Sequence, residues 1–278
     1  MTIRCILALS LLLLASCTNP SKKNTVAGKE QKIIYKHKAE VWGFLSAKDN
    51  SAKDTSAKDK NKYTPNYQLF SSVVFDSEHK EVFQKAKAAG CRLILQADSA
   101  QITKILLQNP KIRTDFIQTL VKTARAMHMD GIHIKFGGTS ISYRQQLTAF
   151  MAALSKACKE EANTLQLSLT VPGTDAESPY DLIALSNFTD RFILDFTHTP
   201  RDKEVYIFKH IIPMYLSSKL PAPRFIVQLP INSVSVKMIN QVGLGGIALP
   251  ERYADPKHKL FTNMLADEFI VADTVGIE

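Results

Sequence analysis

Cysteine chemistry has little to work with in this chain: its 278 residues hold four cysteines, with no Cys-x-x-Cys pair and no cluster of cysteine with histidine. That excludes the common zinc-site spacings, and the seven histidines are scattered, so neither a metal nor any other cofactor is expected. No glycine-rich phosphate turn follows the first apolar strand; Gly243, Gly245 and Gly246 come near the other end and open a strand, which argues against a dinucleotide site. Long hydrophobic runs are missing too. The longest, ILALSLLLLAS, is shorter than the ~20 residues that span a bilayer. There is one tryptophan, Trp42. Nothing acidic occurs between Asp130 and Glu160, an absence that bears on the chemistry below.

What is present begins with a compartment signal. Met1 to Arg4 form a short basic start, and the apolar run leads into Cys17, the pattern of a secretory signal. Leu14-Ala15-Ser16-Cys17 resembles the bacterial lipobox, which implies a signal peptide over residues 1–16 and acylation at Cys17. The expected location is a bacterial cell envelope, lipid-anchored at the outer membrane. Residues 20–62 hold eleven lysines against five acids, a net +6 of the whole chain's +9. A nucleic-acid partner would want that charge on a folded face among aromatics; here it lies in a tail beside the anchor, so no nucleic acid is expected and attraction to an anionic membrane is the simpler role. Residues 17–39 read as a lysine-rich flexible tether. Three copies of a Ser-Ala-Lys-Asp-x unit, Ser46 to Lys60, have no apolar face to bury and read as a low-complexity loop insertion over 46–62. Cys91 flanks a predicted strand and Cys158 sits in a predicted helix, so two separate buried thiols are expected rather than a disulfide.

From residue 40 to the end, apolar strand-like runs alternate with helical stretches. Strands are predicted at Val41–Leu45, Tyr67–Phe75, Cys91–Ala97, Gly131–Phe136, Leu165–Gly173, Arg191–Thr197, Arg224–Pro230 and Gly245–Glu251. In the longest helical stretch Pro110 suits a first turn, and Ile112, Phe116, Leu120, Ala124 and Met127 recur at helical spacing. Eight strands with crossover helices predict an α/β fold, a (β/α)8 TIM barrel over 40–278. Its functional mouth lies at the C-terminal ends of the strands, which singles out Phe44, Phe75, Gln96, Asp98, Lys135, Gly137, Pro172, Asp195, Thr197, Gln228, Pro250 and Glu251, with Tyr143 and Tyr253 on rim loops.

The fourth strand carries the sharpest motif, Asp130-Gly-Ile-His133-Ile-Lys135-Phe-Gly137. With the helix before it, TDFIQTLVKTARAMHMDGIHIKF resembles the segment of family 18 glycoside hydrolases, the chitinases and endo-β-N-acetylglucosaminidases, that bears D-x-x-D-x-D-x-E. Val41–Phe44, Arg92–Gln96, Asp190–His198 and Gly245–Glu251 are similar to further strands in family order, so the likeness runs over about residues 40–252. The resemblance places the pattern's first Asp on Asp130, its second on His133, its third on Lys135 and its Glu on Gly137. In the family that Glu protonates the glycosidic oxygen while an Asp orients the substrate's N-acetyl group. Glycine has no proton to donate, and a lysine opposes the positive charge that develops on the sugar. Where the family has Met-x-Tyr-Asp the chain has Asp195-Phe-Thr197-His, and the family's last-strand tryptophan aligns with Pro250.

Alternation points His133, Lys135 and Gly137 toward the barrel axis, and an inward lysine needs a partner. Asp195, inward by the same parity, is the expected one, whether as part of a structural polar core or of a ligand site. Trp42 is expected in the core. These readings imply a lipid-anchored, catalytically inactive family 18-like protein that binds N-acetylglucosamine-containing glycan or acts as an envelope scaffold. Two alternatives stand beside it: an active glycosidase using relocated acids (Asp98, Asp195, Glu251), and an interaction module with envelope proteins as partners.

Overall fold

The computed structural model describes residues 31–45, 66–75, 80–98, 102, 104–136, 140–160, 164–173, 179–229, 233–250, 263, 265 and 267–276. Cys17, Gly137, Glu251, Tyr253 and the repeat over 46–62 lie outside them. Among the described residues there are ten strands. β1 (Gln31–His37) pairs with β10 (Ile270–Gly276) in a two-stranded sheet. The other eight close into a parallel barrel: β2 (Glu40–Leu45), β3 (Ser72–Phe75), β4 (Arg92–Ala97), β5 (Gly131–Lys135), β6 (Gln166–Pro172), β7 (Arg191–Asp195), β8 (Phe225–Gln228) and β9 (Gly246–Pro250), with β9 returning to β2. This is the predicted (β/α)8 architecture.

Crossovers are carried by α1 (Lys80–Ala88), α2 (Lys104–Gln108), α3 (Pro110–Ala126), α4 (Arg144–Lys159) and α5 (Leu182–Leu185). Then come α6 (Glu204–Tyr206), a π-helical turn (Ile207–Ile211), α7 (Ile212–Leu216) and α8 (Ser233–Val242). The start of α3 follows from its sequence: the Asn109 side chain accepts hydrogen bonds from the Lys111 and Ile112 amides at 3.0 and 3.2 Å, and Pro110 occupies the first turn, where its missing N–H costs nothing. Its buried stripe is Ile117, Leu120, Val121 and Ala124. Ile112, read as part of that stripe, is 42% exposed.

Alternation along the strands separates two apolar regions. Trp42, Val74, Ile94, Ile193, Ile226 and Ala248 fill the barrel, with Phe44 packed on them. The opposite parity, Val73, Phe75, Ile132 and Ile134 among others, packs against the helices. Phe75 therefore does not line the mouth; its ring meets Phe83 of α1 edge-on at 4.4 Å. Trp42 is fully buried, as expected.

Three segments depart from the sequence reading. The tether expected over 17–39 is described only from 31, where it forms strand β1 rather than a flexible link. It pairs with β10, a strand of the predicted 40–278 barrel domain that lies outside the closed sheet. Tyr67–Leu69, read as strand, is a short 3-10 turn because the Asn66 carboxamide accepts the Gln68 amide and the Phe70 amide bonds back to the Tyr67 carbonyl. The run YDLIALSNF, Tyr180 to Phe188, has a helical pattern in the sequence, but its helix is limited to α5, started by Asp181 accepting from the Ala184 amide.

Two aspartates set the stagger of neighbouring strands. Asp130, just before β5, donates its N–H to the Leu93 carbonyl and accepts the Leu93 N–H on its carboxylate, both at 2.7 Å. Asp190, just before β7, forms the same reciprocal pair with Leu167 at 2.7 Å. Asp130 thus acts at the N-terminal end of the barrel, away from the mouth.

Candidate functional site

The barrel interior is polar at both ends and apolar in between. At the N-terminal end Glu40 accepts from Arg92 at 2.6 Å, from Arg191 at 2.7 Å and from the Trp42 indole N–H at 2.7 Å. Arg92 in turn reaches the Gln166 side-chain oxygen at 3.1 Å. Sequence reading missed this plug. The available signal was positional: Glu40, Arg92, Gln166 and Arg191 each open a strand with inward parity.

Toward the other end His133 is completely buried. Its Nδ1 lies 3.0 Å from the Ser168 hydroxyl and its Nε2 2.8 Å from the Thr170 hydroxyl. Both hydroxyls belong to β6, whose residues Ser168 and Thr170 pair in register with His133 and Lys135. Phe44 closes over the ring edge-on at 5.2 Å. Burial, helped by the Lys135 cation, pushes the imidazole pKa down to about 3, so His133 is neutral and clamped, with neither nitrogen left for a substrate.

Above it the Lys135 ammonium stands 3.5 Å from the Asp195 carboxylate; the lysine side chain is 41% exposed and the aspartate 11%. The other carboxylate oxygen of Asp195 accepts from the Thr197 amide at 3.0 Å and its hydroxyl at 2.6 Å. Gln228, beside Asp195 in register on β8, is buried, and its side-chain oxygen is among the buried atoms without a hydrogen-bond partner. The predicted residues Phe44, His133, Lys135, Asp195, Thr197 and Gln228 therefore belong to one end of the barrel. Asp98 follows β4 at the same end and is half-buried. Tyr143 sits instead in the turn before α4, packed against the helical core and within 3.4 Å of the Gln108 amide.

Because Lys135 is well solvated, its pairing with Asp195 adds little to stability. Asp195→Asn is expected to lower unfolding free energy by less than about 1 kcal/mol, measured by urea titration.

The remaining predicted chemistry is inert. Cys91 and Cys158 are separate, buried thiols, and burial pushes each pKa up to about 12. Among the described residues no group of three His, Cys, Asp or Glu could hold a metal, and no helix is long and apolar enough to cross a membrane.

This barrel has relatives. The spore cortex-lytic enzyme SleL of Bacillus cereus superposes with a TM-score of 0.65 at 14% identity, over 83% of this chain and 74% of that one. A family 18 chitinase from Cycas revoluta, solved with (GlcNAc)3, gives a TM-score of 0.67 at 12% identity, over 83% of this chain and 99% of its own. A chitinase from Bacteroides thetaiotaomicron gives 0.63 at 12%, over 83% and 96%. At such identities the likeness carries the fold alone. No curated protein sequence matches the chain. The family model described as glycosyl hydrolases family 18 matches residues 41–241, well over half the sequence and every barrel strand but the last. The chain belongs to glycosyl hydrolase family 18.

Proposed function

We propose that this protein is a lipid-anchored, catalytically inactive member of its family that binds N-acetylglucosamine-containing glycan or acts as a scaffold at the cell envelope. The observation that carries the reading is the end of β5, where a family 18 enzyme needs acids. Lys135 presents an ammonium already paired with Asp195, His133 beneath it is buried and neutral, and two residues further along the sequence stands Gly137, which has no side chain to donate a proton. None of these protonates a glycosidic oxygen at neutral pH, and loss of a general acid alone slows such a reaction ~10²–10⁴-fold. The polar mouth keeps groups suited to holding a sugar: a solvated ammonium and the unpartnered Gln228 oxygen. The Cycas relative's complex with (GlcNAc)3 supports the choice of ligand class. Anchoring through Cys17 rests on the lipobox pattern and the basic tail.

The test pairs binding with turnover. Full-length protein in detergent is expected to be retained on a chitin affinity matrix, to lose retention in a Lys135→Met, Gln228→Ala variant, and to release no reducing sugar from chitin oligomers. Absence of retention on any N-acetylglucosamine polymer or glycan array would leave the scaffold role. Reducing-sugar release abolished by Asp195→Asn would replace the proposal with a glycosidase built on relocated acids.

A further inference from the structure

The crossover between β7 and β8 has an outer face that the glycan reading does not use. Six large hydrophobic side chains stand exposed among the described residues, and three of them, Val205 (45%), Tyr206 (47%) and Met214 (53%), fall within this one segment. The π-helical turn Ile207–Ile211 at its centre explains the arrangement. Widening the helix brings the repeat above the 3.6 residues of an α-helix, so side chains four apart fall into columns. Ile207, Phe208, Ile211 and Ile212 turn inward and are buried. Outward, one column runs Val205, Lys209, Pro213 and its neighbour runs Tyr206, His210, Met214, all of them exposed. The Tyr206 and His210 rings lie 4.7 Å apart between centroids, tilted 35° to each other.

The exposed charge on and beside this face is mainly positive, three lysines against one aspartate. Lys209 lies at its centre, and Lys203 and Lys219 flank its two ends, all exposed. Glu204, the acid nearest the columns, is folded inward and 6% exposed, which leaves Asp202 as the exposed acid of the segment. An aromatic ring and a thioether interleaved with lysines is the chemistry that settles at a headgroup boundary, apolar tips among acyl chains and cations beside anionic lipid. The apolar surface is on the order of 300 Å², given the usual size of such side chains. A stable dimer buries ~800 Å² on each partner, so a second copy of this chain fits the face poorly. We propose that the outward face of the segment from Val205 to Met214 docks on an anionic bilayer surface, holding the barrel in a fixed orientation there.

The experiment uses full-length protein carrying Tyr206→Trp. Trp42 is fully buried, so its emission gives a constant, lipid-inaccessible background that also reports correct folding. On vesicles of phosphatidylglycerol and phosphatidylcholine the new indole is expected to shift its emission to the blue and to be quenched by brominated acyl chains. The shift should be lost on pure phosphatidylcholine and on adding Lys209→Glu. Thr119→Trp, on the exposed side of α3, should show neither effect. The proposal fails if the indole stays water-exposed on anionic vesicles, or if Thr119→Trp responds equally. It also fails if the shift survives Lys209→Glu, or if it appears without lipid as concentration rises, the mark of self-association.

Discussion

Lowering the pH from 7 to 4 is expected to cost this protein about 3 kcal/mol through His133 alone, and His133→Gln removes that part of its acid sensitivity. The imidazole is fully buried, with each nitrogen within hydrogen-bond distance of a β6 hydroxyl. Burial, and next the nearby Lys135 cation, hold its pKa at about 3. In the unfolded chain the same ring titrates near ~6.5. Between these values the unfolded state binds one more proton than the folded state, so stability rises with pH over that window. The contribution is fully present above ~6.5 and is lost, at about 1.4 kcal/mol per pH unit, as pH falls toward the folded value. His133→Gln keeps a polar group of similar reach but no titration. It is expected to cost about 1–2 kcal/mol at pH 7, from imperfect satisfaction of Ser168 and Thr170, and to converge with the wild type near pH 5.5. Urea midpoints of both proteins from pH 7 to pH 4 decide the matter. Parallel curves would mean that the ring is charged, or hydrated, in the folded state.

His133 also shows what the sequence made legible. Period-two alternation was enough to point it at the barrel axis together with Lys135, and the same parity on the sixth predicted strand selected Asp195 as the partner of Lys135, which the structure confirms. Strand count and order were readable because each strand is a short apolar run bounded by turns. The hydroxyl clamp was not, because Ser168 and Thr170 become neighbours of His133 only through the stagger between β5 and β6. Stagger is a property of the closed sheet; Asp130 ties β5 to β4 and Asp190 ties β7 to β6 at the strand entrances, while the β5–β6 register is carried by the backbone ladder. Asp130 stood out as the surviving residue of the family pattern; physically it is a strand tie. Phe75 was misplaced by a single register step, since strand ends drawn from hydropathy do not tell inward from outward when both faces are buried. Gln31–His37 was hidden by its lysines, although the Ile33-Ile34-Tyr35 run within it is strand-prone.

The two ends of the barrel make different demands. At the mouth, the ion pair is solvated on the lysine side and contributes little to stability. At the opposite end the charges are knitted into the fold. Arg92 lies over the Trp42 ring at 5.9 Å as well as on Glu40, and the indole N–H of a fully buried tryptophan has Glu40 as its acceptor.

Removing Glu40 is accordingly expected to be the more damaging change. Glu40→Ala strands a buried indole donor, an orphan that costs about 1–3 kcal/mol. It also leaves two guanidiniums facing each other without their shared carboxylate. Because Arg92 and Arg191 are 37% and 28% exposed, solvent screens much of that repulsion, and a total near 3 kcal/mol is expected. Glu40→Gln keeps an acceptor for one donor and should cost about half as much. Burial raises the Glu40 pKa, but Arg92, Arg191 and the hydrogen bonds from Trp42 and Arg191 together outweigh it and hold the carboxyl below its ordinary value. A depressed carboxyl pKa stabilises the fold above the unfolded value and loses that contribution as pH falls through the folded one. The gap between wild type and Glu40→Gln should therefore be widest near neutral pH and close in strong acid. Adding Arg191→Met to Glu40→Ala should recover part of the loss, since it removes the uncompensated cation. If the two substitutions instead cost the sum of their separate effects, the three charges act independently and the N-terminal plug is not a network.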